Sequence, residues 1–179
     1  MGTDVCWFPM RVTYNREMKV KECFDRIGVE CFVPMTCNLE NEGSMAQAKF
    51  VPAIHNLLFV HSSQNEITRL KMYDKDFESL RYMIKRNGEK RGVITVRDED
   101  MYNFIRVASV TDRSVFYLDC NRRLSFIGKK VRITAGRFKD VEGVVKRIKR
   151  NRHVVVQIEG VAAVAITYIP AEFLAEVTE

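Results

Sequence analysis

Along the first hundred residues the apolar positions change period several times, and in the last fifty they settle into short alternating runs. VCWFPMRVTY, Val5 to Tyr14, is rich in aromatic and branched residues and predicts a first strand, with Pro9 at an edge or irregular position. In NREMKVKECFDRIG the residues Val20, Cys23, Phe24 and Ile27 fall on one helical stripe, with Asn15 as the predicted N-cap and Gly28 as the stop. VECFVPM returns to strand character. TCNLENEGSMAQAK has no period and predicts a mobile loop or a long hairpin tip. HNLLFVHS predicts a buried strand, and Ser63-Gln64-Asn65-Glu66 has the form of a capping box before a short helix with Ile67 and Leu70 inside. LRYMIKR alternates as a strand, the loop NGEKRG separates it from VITV, and Asp98 caps a last helix, DEDMYNFIRVA, with Met101, Phe104, Ile105 and Ala108 on one face.

From Ser109 to Ile127 the periodicity weakens, VFYLD being the one strand-like piece, and this stretch is expected to be a connection. After Gly128 the chain reads as strands alone: KVRIT, GVVKRI, HVVVQIE, AAVAITYI and FLAEV. Five short strands in so few residues predict a small closed barrel filled by its own side chains. In VRITAGRFKDVEGVV, Gly136 suits a tight turn, Gly143 a bend or close backbone approach, and Phe138 a ring folded over the open barrel end. The chain is thus expected to be α+β: an α/β sandwich at 1–108, a linker at 109–127 and a β-barrel at 128–179.

Charge sharpens this picture. The net charge of +6 is concentrated between Lys129 and Arg152, where ten basic residues face two acidic ones. Such a patch suits phosphate contacts as well as a solvated strand face. Five cysteines without a C-x-x-C pair read as reduced thiols, and three scattered histidines show no metal-ligand spacing, so neither metal nor cofactor is expected. No apolar run reaches the roughly 20 residues of a membrane helix, and the first residues lack the form of a signal peptide, so the expectation is a cytoplasmic protein. No nucleophile elbow, phosphate loop or metal motif points to an enzyme, and the acidic run at Asp98 to Asp100 is explained by a helix start.

The stretch VRITAGRFKDVEGVV resembles a KOW motif, and CWF followed by a helix, FVPM and NLLFVHS is similar to the N-terminal domain of NusG-type transcription elongation factors. The resemblance runs from about Cys6 to Val177. It implies a NusG N-terminal-like sandwich followed by an SH3-like five-stranded KOW barrel. RVTYNREMK and VAITYIPAEFL look like the UpxY-type antiterminators of capsular polysaccharide operons, a functional parallel of RfaH. The chain departs from the housekeeping factor at PAIHNLL, where that factor carries an aromatic, glycine and proline, and at EGVAAVAI.

The resemblance further implies transcription antitermination or elongation by binding RNA polymerase. Arg11, Ile54, Leu57 and Phe59 occupy positions that in the family dock on the clamp coiled coil, and Thr68 and Arg69 those that touch the opposite jaw, although this chain departs from that motif. Thr13, Tyr14, Arg16, Lys19 and Arg26 are the implied contacts to non-template DNA or nascent RNA. On the barrel, Lys146, Arg147, Lys149, Arg150 and Arg152 form the implied partner surface, for a ribosomal protein, for Rho, or for RNA or DNA. The residues by themselves also suit core strands and solvated faces. A ribosome-associated or RNA-binding KOW protein is the alternative reading. Nothing demands a dimer, and a monomer is expected.

Overall fold

The computed structural model describes residues 4–42, 45–87, 90–118 and 128–177. β1 (Val5–Val12) lies between β5 (Leu57–Ser63) and β6 (Leu80–Tyr82), with β2 (Glu30–Phe32) beyond β5, in one antiparallel sheet. β6 pairs only with Met10, Arg11 and Val12, so Pro9, which has no N–H to donate, falls just beyond that ladder. α1 (Glu17–Arg26) and α2 (Gln64–Tyr73) supply the helices of this unit. The capping box forms: Ser63 Oγ accepts the Glu66 N–H at 3.2 Å.

Alternation along the strands sets the core. Phe8, Met10 and Val12 of β1 and Leu58 and Val60 of β5 share one buried cluster with Val20, Cys23 and Phe24 of α1 and Ile67 of α2. Phe24 and Phe77 meet at 4.6 Å between ring centroids. Each such side chain contributes about 1.5–3 kcal/mol through burial. Ile27, expected on the inner stripe of α1, is 48% exposed because the helix has ended there, and Glu17 takes the inward position one turn before Val20. The alternate residues Trp7, Leu57 and Phe59 point to the opposite face and are also buried.

The polar segment expected as a loop is a hairpin, β3 (Met35–Glu42) with β4 (Met45–Pro52). Polar residues populate both strands, so no alternating signal marked it. The single strand expected over LRYMIKR is two: β6, and then β7 (Ile84–Asn87) paired with β8 (Lys90–Val93).

Contacts divide the chain into Met1–Thr36 with Phe50–Asp98, and Cys37–Lys49 with Glu99–Glu179. The second unit holds α3 (Asp98–Ala108) from Glu99 onward and a six-stranded sheet made of β9 (Val115–Leu118), β10 (Lys130–Ile133), β11 (Glu142–Ile148), β12 (Asn151–Ile158), β13 (Ala162–Ile166) and β14 (Leu174–Glu176). Its order is β14–β10–β11–β12–β13–β9. β9 comes from the stretch expected as a connection, pairing Val115–Leu118 with Ile166–Ala163, and so adds a sixth strand to the expected five. Within this unit Asn103 Oδ1 accepts the Glu142 N–H at 3.2 Å and Arg106 donates to the Lys139 carbonyl at 2.7 Å. Gly136 has φ 82°, and Phe138 is buried beside it. A Cβ on Gly143 would stand 2.8 Å from Val154 Cγ1 and from the Val155 carbonyl oxygen, the close approach its glycine permits. Among the described residues no helix is long and apolar enough to cross a membrane.

Candidate nucleic-acid interface

β1 is followed by a single 3-10 turn, Thr13–Asn15, before α1 begins. Tyr14 and Asn15 sit in the left-handed region at φ 65° and 52°. L side chains are disfavoured there by roughly 1–2 kcal/mol each, so the turn needs a hold. Asn56, itself at φ 62°, provides it. Its carbonyl accepts the Val12 N–H at 3.0 Å, its Oδ1 accepts the Asn15 N–H at 3.0 Å, and its own N–H donates to Glu17 Oε1 at 3.2 Å. Glu17 is 1% exposed and its Oε2 has no hydrogen-bond partner. The positive end of α1 favours that carboxylate, and His55 Nδ1 lies 4.0 Å from Oε1.

Asn15 is therefore not a cap by side chain: Arg16 holds the N-cap position, and the Asn15 amide is spent on Asn56. The outcome of the turn is an aromatic ring in solvent. Tyr14 is 82% exposed, with the Arg16 guanidinium 5.5 Å from its ring centroid. Thr13 is half-buried beside it and Lys19 is exposed one turn further along α1. Arg26, at the far end of that helix, is about 15 Å away by helical rise and is engaged with Cys23 Sγ at 3.2 Å and Asp76 at 3.9 Å. The structure thus brings together Thr13, Tyr14, Arg16 and Lys19, and leaves Arg26 apart.

The residues expected to dock polymerase divide more sharply. Arg11 is exposed and Ile54 half-buried, but Leu57 is 1% exposed and Phe59 0%. Leu57 and Phe59 are thus corrected from exposed docking residues to buried ones. Thr68 shares a hydrogen bond of 3.0 Å with the Tyr82 hydroxyl, which donates to the Gln64 carbonyl at 3.1 Å. Burial pushes the Tyr82 phenol above its ordinary value. Arg69 is exposed and donates to Glu66 at 2.8 Å, a bond that raises its already high pKa.

On the second unit, Arg147, Lys149, Arg150 and Arg152 are exposed, whereas Lys146 is 7% exposed with Nζ 3.5 Å from Gln157 Oε1. Lys146 is corrected from surface to interior, because it faces inward opposite His153, and burial lowers its pKa. Among the described residues no group of histidine, cysteine and carboxylate side chains is arranged to hold a metal.

An exposed ring beside a cation is an arrangement on which a base can stack. Residues 5–105, more than half of the chain, match the family described as "Transcription termination factor nusG", and residues 127–159 match the KOW motif. The chain belongs to the NusG family. NusG-family proteins are transcription factors of elongation and termination, regulatory rather than enzymatic. The solved structure "Domain interaction in Thermotoga maritima NusG" is similar, with 17% identity over 98% of each chain and a TM-score of 0.46. No curated protein matches the chain.

Three positions that the structure of this NusG-family chain singles out escape a reading by pattern. Glu17 interrupts an apolar stripe at the spacing of Val20, and a carboxylate on an inner face needs a specific donor. Asn56 sits just before a buried strand, where only its left-handed backbone betrays its role. Tyr168 reads as strand and is instead 76% exposed beyond β13.

Proposed function

We propose that this chain is a transcription antitermination or elongation factor that binds RNA polymerase through its first unit and suppresses pausing or termination, in operons for polysaccharide biosynthesis. The observation that carries the reading is the Tyr14–Arg16 pair, an exposed ring and cation locked at the entrance to α1 in a domain of the NusG family. Such a pair suits an unpaired base and its phosphate, the form nucleic acid takes in an open transcription bubble. Arg11 and Ile54, which remain accessible on the same unit, are the polymerase contacts in this reading. The operon class rests on the likeness of RVTYNREMK and VAITYIPAEFL to the capsular antiterminators.

The test is capture of core RNA polymerase by the tagged chain, followed by transcription through a pause site. Wild type is expected to retain polymerase and shorten the pause. Arg11→Glu combined with Ile54→Asp, folded by circular dichroism, is expected to lose polymerase, and Tyr14→Ala to keep polymerase but lose the effect on pausing. Capture of ribosomal subunits without polymerase would overturn the proposal in favour of a ribosome-associated KOW protein.

A further inference from the structure

The tryptophan of CWF and the histidine near the end of HNLLFVHS meet on one face of the first sheet. In the register His61 of β5 stands opposite Trp7 of β1 on one side and Glu30 of β2 on the other, so three side chains line up across three strands. Trp7 in turn bridges Val96, whose N–H donates to the Trp7 carbonyl at 2.9 Å. Two residues later comes Asp98, the first residue of α3 and the last of the first unit. The row therefore reaches from β2 to the point where the chain leaves this unit.

His61 is the joint of the row. Its ring lies nearly parallel to the Trp7 indole, with centroids 4.8 Å apart and 13° between the planes. Its two nitrogens face two different carboxylates: Nδ1 is 2.9 Å from Glu30 Oε2, and Nε2 is 3.8 Å from Asp98 Oδ1. A carboxylate only accepts, so the hydrogen bond at Nδ1 fixes the proton of the neutral ring there. Nε2 then turns a lone pair toward the Asp98 oxygen, and two acceptors face each other. One added proton makes the ring a donor at both nitrogens and a cation between two anions. The Trp7 face is a third attraction for that cation. Protonation thus reverses the sign of the contact with Asp98 and leaves the contact with Glu30 in place.

The surroundings preserve this difference. Burial first, and then Asp98 and Asp4, push the Cys6 thiol above its ordinary value, so Cys6 stays neutral and Asp4 adds a further negative charge at this edge. Arg97, exposed and next to Asp98 in sequence, is the cation of the stretch. It attracts Asp98 in either charge state of His61 and so does not set the difference between them. Trp7 is 5% exposed, which shields the stack on that side, whereas His61 is half-buried and open to a proton from solvent.

We propose that His61 is a proton-operated latch: charged, it binds Asp98 and draws residues 96–98 onto Trp7; neutral, it keeps Glu30 and lets Asp98 go. The first unit's grip on the start of α3 then follows pH over the range in which histidine changes charge, about pH 5 to 8. The latch rests on the first unit alone and depends on neither polymerase nor nucleic acid.

Trp7 is the one tryptophan of the chain, so its fluorescence reports the stack directly. An imidazolium stacked on an indole quenches its emission, and a neutral imidazole does so far less. The emission of the full chain is expected to fall as pH is lowered from about 8 to about 5. The fall is expected to be absent from His61→Gln and kept in Asp98→Asn and His55→Gln. Hydrogen exchange at the Val96 amide, read by NMR, measures the other arm. Its protection factor, which takes out the intrinsic pH dependence of exchange, is expected to be about two- to fivefold higher at about pH 5.5 than at about pH 8 in wild type, as one exposed ion pair provides. In His61→Gln and Asp98→Asn it is expected to be equal at the two values. The Asp98 side chain is 75% exposed, so Asp98→Asn carries the test should His61→Gln fail to fold. A flat emission in wild type, a fall that follows His55 rather than His61, or a Val96 protection that is the same at both pH values in wild type would each overturn the proposal.

Discussion

The Asn56 N–H donates to Glu17 Oε1 at 3.2 Å, joining the turn before β5 to the first turn of α1 across 39 positions of sequence. With the Asn56 carbonyl on Val12 and its Oδ1 on Asn15, one residue fixes the backbone that carries Tyr14.

Asn56→Gly separates holding the turn from merely filling it. Glycine keeps the left-handed backbone, the carbonyl and the N–H, but removes the acceptor for Asn15. A loss of about 1 kcal/mol in urea unfolding is expected, one hydrogen bond's worth. Asn56→Asp, which restores an acceptor, is expected to recover most of it. If Tyr14 acts only when held, quenching of a 2-aminopurine single strand falls with Asn56→Gly and returns with Asn56→Asp. Glu17→Ala leaves the half-buried Asn56 N–H without its carboxylate acceptor and is expected to cost about 1 kcal/mol.

Leu57→Asp and Phe59→Asp are expected to unfold the first unit rather than to weaken docking alone. An unpaired carboxylate at either position replaces a fully buried apolar side chain, which adds lost burial to charge desolvation. Circular dichroism and thermal melting check this. A folded, melting-competent Phe59→Asp chain would return Phe59 to the surface.

This pair also shows what pattern reading resolves. The run LLFV announces a buried strand, and the capping box at Ser63, the stripe of Val20, Cys23 and Phe24, and the glycines of the barrel hairpin all place their elements, because each is a local rule with a steric or hydrogen-bonding cause. Which face of a doubly covered strand is outside is not local. Neither are β9, whose pairing partner β13 lies 44 or more residues away in sequence, or the hold of Asn56 on Asn15. Lys146 follows the same rule: in GVVKRIKR a lysine reads as surface, and only the register opposite His153 turns it inward.

Gly143→Ala is expected to destabilise the second unit by about 2 kcal/mol or more, since its Cβ would press on the Val155 carbonyl oxygen and Val154 Cγ1 at 2.8 Å. Gly136→Ala meets open space but must hold φ 82°, so its expected cost is the strain alone, about 1 kcal/mol. Urea midpoints of the two variants give the order, and a reversed order would mean that the β11–β12 approach relaxes easily.

Acid is expected to weaken the second unit. Asp112 accepts from the Ser114 hydroxyl and N–H and from Arg137, which hold its carboxyl down at about 2. Glu142 is lowered in the same direction by Arg132 and Lys130. A carboxylate depressed in the folded state stabilises above its unfolded value, and that stabilisation is lost as pH falls through the folded one. The stability of wild type is therefore expected to decline from about pH 4 towards about pH 2, and Asp112→Asn to flatten the decline. A decline of equal slope in Asp112→Asn would remove Asp112 from the account.

Lys146→Met distinguishes the buried lysine from its exposed neighbours. Lysine 146 is 7% exposed, and burial lowers its pKa, so the charged form is the one the fold disfavours at neutral pH. Methionine matches its length without the charge, and a gain of about 0.5–1 kcal/mol is expected at neutral pH. The gain is expected to shrink at alkaline pH, where the lysine is neutral in both folded and unfolded chains and the penalty on its charged form is gone. A Lys146→Met chain less stable than wild type would mean that the buried amine's own hydrogen bonding outweighs its desolvation.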